Sequence, residues 1–175
     1  MRALALALLV VLAASGCSEK VTVTIYRDRP VTLDGSAAIV DMTGDPTLIL
    51  GLNEGNDFEL LEDGGAAQMI HGLQGGYWIH LALRVTAMER AGRFTASLRR
   101  DSSDGDVLGE VGFDLRLSLT SEDHYEAALL PIPLDPTLTA DRIGRLDGAA
   151  AHMAVSFTAG ERAASAERAV VLRSP

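Results

Sequence analysis

The chain has one cysteine, Cys17, in 175 residues. No disulfide can form within one molecule, so stability has to come from packing alone. Aromatic residues make up 5% of the sequence and include a single tryptophan, Trp78, which leaves few large side chains to anchor a core or a ligand. Basic residues number 15 against 24 acidic ones, for a net charge of −9, and no stretch of sequence gathers lysine or arginine into a cluster. That balance excludes nucleic acid as an electrostatic partner and argues against adsorption onto anionic lipid. No apolar run reaches the roughly 17–25 residues of a membrane-spanning helix. The G-x-S-x-G, H-E-x-x-H and P-loop patterns are all missing, and with them go the commonest hydrolase, metalloprotease and nucleotide signatures. No stretch marks an acid–base pair or a Ser-His-Asp triad, so the expectation is a protein that is not an enzyme.

What is present begins at the N-terminus. "MRALALALLVVLAASGC" carries one positive charge, Arg2, then an apolar run from Ala3 to Ala14, then Ser15 and Gly16 before Cys17. These are the n-region, h-region and small-residue cleavage site of an export signal. "AASGC" resembles the lipobox of bacterial lipoproteins, although Ala14 stands where leucine is usual. The resemblance implies that residues 1–16 are removed as a signal peptide and that Cys17 is acylated and becomes the new N-terminus. Residues 17–22 would then be the lipidated end and a short tether, and 23–175 one domain. Acylation also accounts for a lone cysteine in an exported chain. Ser18 follows the cysteine where aspartate would signal inner-membrane retention, which by the same resemblance implies the outer membrane of the cell envelope. Loss of Arg2 with the signal leaves 14 basic against 24 acidic residues, a mature charge of −10.

Period-two alternation dominates the remainder. "GRFTASLRR" (92–100) sets Phe94, Ala96 and Leu98 against Arg93, Thr95, Ser97 and Arg99, and "VGFDLRLSLT" (111–120) aligns Val111, Phe113, Leu115, Leu117 and Leu119 on one face. Such strands have one buried and one wet face, as in antiparallel sheets. Further strands are expected at 20–26, 37–42, 47–52, 58–62, 77–85, 124–132, 150–159 and 167–173. Turn signals such as "TGDP" (43–46), "EDGG" (62–65) and "SSDGD" (102–106) separate them. "LDPTLTADRIGRLDG" (134–148) is the longest break, expected to be a loop with a short helical turn. The pattern predicts an all-β domain, an antiparallel β-sandwich of immunoglobulin- or fibronectin-like type without a disulfide.

Two sets of side chains qualify as candidate sites. In "DSSDGDVLGE" (101–110) the glycine falls fifth where an EF-hand needs it sixth, so a hairpin turn is expected instead. His71, His80 and His152 are the weak candidates for copper or zinc, since imidazole suits both metals. Strand parity places Trp78 and His80 away from the core and Tyr77 toward it. His80 and His152 share a surface only if their strands are neighbours.

The run "LGLNEGNDFELLEDGGAAQMIHGLQGGYWIHLALRV" (50–85) resembles a segment of uncharacterised outer-membrane lipoproteins of myxobacteria and their relatives. The matching residues are Phe58, Leu61, Asp63, Gly64, Gly72, Gln74, Gly75, Gly76 and Tyr77. The resemblance implies lipoprotein and sandwich-like character and supplies no activity. Gly75 and Gly76 allow positive φ ahead of a strand, and Gln74, Tyr77, Trp78 and His80 form the candidate binding patch. The expected role is a lipid-anchored binding or structural module with a protein partner in the envelope. A copper- or zinc-binding protein is the alternative.

Overall fold

The computed structural model describes residues 41–54, 57–72, 75–120 and 124–175. The signal peptide, Cys17 and its tether, the strand expected at 20–26, most of that expected at 37–42, and Gln74 lie outside the described residues.

Among the described residues, ten strands and one short helix follow in order: β1 (Thr47–Glu54), β2 (Asp57–Leu60), β3 (Gly65–His71), β4 (Tyr77–Thr86), β5 (Ala91–Arg100), β6 (Val107–Arg116), β7 (Ser118–Leu119), β8 (Tyr125–Pro133), α1 (Ala140–Gly144), β9 (Ala150–Ala159) and β10 (Arg162–Arg173). The domain is all-β. The strands belong to one curled sheet in the order β2-β1-β4-β3-β10-β9-β5-β6, with β8 on the other edge of β4 and β7 beyond it.

Alternation explains the best-formed part. Phe94, Ala96 and Leu98 of β5, Phe113 and Leu115 of β6, and Met153, Val155 and Phe157 of β9 are all buried, as their parity predicts. Phe94 is matched with both Phe113 and Phe157 across the ladders, and the Phe94 and Phe113 rings sit 5.1 Å apart in a tilted pair. From the other half come Leu50, Ile79, Leu81, Leu83, Leu130 and Ile132, also fully buried, and the two sets merge into one core. Among the described residues no polar or charged side chain is buried.

Curling depends on β3, which the alternation does not announce. Its first residues pair with β10 in parallel, Gly65 opposite Val170, while its last pair with β4 antiparallel, Met69 opposite Ile79. One strand thus passes from one half of the sheet to the other, and its parallel pairing departs from a purely antiparallel expectation. Two polar contacts fix the corner: the Ala169 N–H donates to the Asp63 carboxylate at 3.0 Å, and Arg168 Nε donates to the Leu61 carbonyl at 3.0 Å.

The sheet's far ends meet at a seam. The Leu134 N–H donates to Tyr77 on β4 and the Asp135 N–H to Leu108 on β6, each at 2.8 Å, and Gly109 bridges Leu134. Below, β7 pairs with the start of β8, Ser118 opposite Glu126. The segment between these ties does not zip. Backbone groups alternate sides along a strand, so Pro131 and Pro133 turn toward β6, and proline has no N–H to offer there. The Gly112 carbonyl on that open edge accepts instead from Arg93 Nη2 at 2.9 Å.

The loop after β8 folds α1 over the end of the domain at which β4 begins, with Ile143 and Leu146 buried beneath it. At the opposite end the Arg162 guanidinium donates to the carbonyls of Met42 and Gly44, fastening the chain where it comes in. The ten residues of β4 separate the two ends, a span of about 30 Å at the strand rise of roughly 3.3 Å.

Phe94→Ala empties the middle of this core and is expected to cost about 3–5 kcal/mol in urea denaturation, whereas Thr158→Ala on the wet face should stay within about 0.5 kcal/mol. Equal effects would contradict the assignment of faces.

Candidate functional site

The two outer faces of the curled sheet differ in character. On the β5, β6, β9 and β10 half, one row across four strands reads Gly112, Thr95, Ser156 and Ser165 by register, and Thr95 and Ser156 share a 2.7 Å hydroxyl hydrogen bond. Glu110 and Glu167 flank a shallow open depression above this row. His152 belongs to the same face, with its Nε2 3.3 Å from Glu167 Oε2.

The outer face of the β1, β2, β4 and β8 half carries more apolar side chains, with Arg84 and Glu126 paired among them. Trp78 stands between Ile70 of β3 and Pro133 of β8, His80 beside Pro131, Ala82 beside Gly51, and Arg84 between Ile49 and Glu126. Leu60 is the partner of Gly51 on the outermost strand. Among the described residues, five large hydrophobic side chains are exposed, and three of them, Ile49 (39%), Leu60 (52%) and Ile70 (37%), lie on this face. Leu129, also exposed, sits at the β8 irregularity opposite Ala82, where its φ is +56°.

Local chemistry orders the face. The Phe58 ring lies over Gly51, where any Cβ would meet it at 2.5 Å, and the Arg84 guanidinium lies 4.0 Å from the ring centroid. Arg84 in turn pairs with Glu126 at 2.8 Å. The pair is partly solvated, and its value is to hold the guanidinium over the ring rather than to add much stability.

Trp78 is partly covered by the turn that precedes it. A Cβ on Gly72 would fall 2.2 Å from the indole nitrogen, so glycine is required there for the indole to approach. The turn closes through the Gly72 N–H donating to Gly76 and the Gly75 N–H donating to Gly72, both at 3.0 Å. Gly75 and Gly76 take φ of +88° and +80°, conformations that glycine adopts without strain.

The structure therefore separates the residues singled out from sequence. Trp78 and His80 share the apolar outer face. Tyr77 is on the other face, its ring edge-on to His71 at 5.1 Å. His71 and His80 thus point to opposite sides of the sheet, and His152 is on β9, which does not pair with β4. Among the described residues no three histidine, cysteine, aspartate or glutamate side chains come together as a metal-holding group. Sequence reasoning missed Ile49, Leu60 and Ile70; their signal was the apolar residue on the supposedly wet side of each alternation.

No family model matches the chain, and no curated protein matches it.

His80 is half-buried, and burial holds its pKa below the ordinary histidine value of 6.5 by disfavouring the charged ring. The unfolded chain then binds more protons at this position than the folded one. Stability from this source is complete above the unfolded value, declines as pH falls through it, and levels off once the folded ring also protonates. Thermal denaturation between about pH 7.5 and about pH 5.5 is expected to show a larger loss for the wild type than for His80→Gln. Parallel losses would contradict the burial of this ring.

Proposed function

We propose that the chain is a lipid-anchored protein of the cell envelope, tethered to the outer membrane through acylated Cys17, whose β domain binds another envelope component rather than catalysing a reaction. The resemblance of "AASGC" to a lipobox and of residues 50–85 to outer-membrane lipoproteins supports the anchor. Among the described residues no helix is long and apolar enough to cross a membrane, and in this reading the membrane link is the acyl chain. We read the two halves of the curled sheet as the layers of a disulfide-free sandwich of immunoglobulin or fibronectin type, with β3 as the strand that changes layers.

The observation that carries the binding role is the contrast between the two outer faces. Exposed Ile49, Leu60 and Ile70 beside half-covered Trp78 make one face a contact surface, while the other is surfaced by hydroxyls and charges. The partner is a protein of the envelope that presents a complementary apolar surface.

Cys17→Ala should move the protein from the membrane fraction to the soluble one; retention in the membrane would refute the anchor. A photo-cross-linking residue at Ile70 should yield a discrete adduct in intact cells, and the same residue at Thr158 should not. Equal yields, or none from position 70, would refute the contact surface.

A further inference from the structure

Arg100 meets two arginines from a distant part of the sequence, Arg142 and Arg145, at the α1 end of the domain. Arg100 closes β5, Arg142 lies on α1, and Arg145 is its C-terminal cap; together with Leu138, Leu146 and Ala149 they line one open depression of about 560 Å³. Register brings them together, because Arg100 is opposite Ala151 at the start of β9, the strand into which the α1 loop leads. The Asp101 N–H fastens the join by donating to Ala150 at 3.1 Å. The support is firm, since Ile143 and Leu146 beside the arginines are each 2% exposed.

None of these guanidiniums has a salt bridge or a side-chain hydrogen bond among the described residues. Scarcity of partners is not the reason, because acidic residues outnumber basic ones by 24 to 15. In the same loop Asp135 accepts from the Thr137 N–H at 2.8 Å and feels the positive charge of Arg142, and Asp147 accepts from the Ser174 N–H at 2.9 Å. Three guanidiniums lining one depression with an apolar floor favour an anion that can join them. The guanidinium fork matches the oxygens of a phosphate, two bonds at a time.

We propose that this depression binds an amphipathic phosphate ester, with Arg100, Arg142 and Arg145 taking the phosphate oxygens and Leu138, Leu146 and Ala149 the adjoining carbon skeleton. The site is at one end of the domain, apart from the apolar sheet face, and does not depend on that face having a partner. The same chemistry is offered by a soluble phosphate ester and by a lipid phosphate headgroup.

The test uses the full chain with Cys17→Ser, which carries no acyl group, titrated calorimetrically with hexyl phosphate and with inorganic phosphate. Saturable binding is expected, tighter for hexyl phosphate, weakened by added salt, and reduced at least about tenfold in the Arg142→Gln, Arg145→Gln double variant. Circular dichroism checks that the variant keeps its fold, and both substituted side chains are exposed. Flotation with phosphatidylcholine vesicles, with and without about 20% phosphatidic acid, separates the sources. Arginine-dependent flotation identifies a lipid headgroup, and soluble binding without flotation identifies a free ester. No saturable binding to any of these probes, or equal binding by the double variant, would overturn the proposal.

Discussion

An apolar row on one face of each long strand has to leave water, and in a chain without disulfides nothing else supplies comparable stabilisation. At about 25 cal/mol per Å² the burial of Phe94, Phe113, Phe157 and the surrounding leucines is the dominant favourable term. A flat sheet cannot bury its own face. This one curls until its two halves share a single core, and β3 makes the curl by leaving β4 for β10 partway along its length. The position of Trp78, the open seam and the placing of α1 over one end are consequences of that closure.

Closure is left incomplete in a specific way. The sequence "LLPIPL" (129–134) keeps Leu130, Ile132 and Leu134 in the core and removes two backbone donors from the opposite edge of the same strand. The open edge of β6 is then guarded by Arg93, which caps Gly112 and pairs with Asp114 at 3.3 Å. Charged side chains on an unpaired edge discourage strand addition by other molecules. The apolar surface proposed for contact is consequently a face and not an edge.

Strands with strict alternation were legible: β5 and β9 bury the residues their parity names, β6 buries Phe113 and Leu115 with Val111 half-buried beside them, and the faces of Tyr77, Trp78 and His80 follow from the same rule. The helical turn within 134–148 was legible as a break in that pattern. β3 was not, because in "GAAQMIH" only Ala67 and Met69 are buried and the small residues carry almost no periodic signal. Its parallel pairing with β10 joins residues far apart in sequence, which alternation cannot report. The same limit hid the arginine cluster. Arg100 looks like the end of a wet strand face, and only the register of β5 against β9 brings it to the α1 loop.

The central claim is that both halves of the sheet enclose one core and open together. Amide hydrogen exchange tests it directly, by comparing the slowest amides of β4, such as Leu81, with those of β5, such as Leu98. A single shared opening free energy, equal to that of global unfolding, is the predicted result. Exchange of the β4 half through a separate, lower-energy opening while β5 and β9 remain protected would contradict the account.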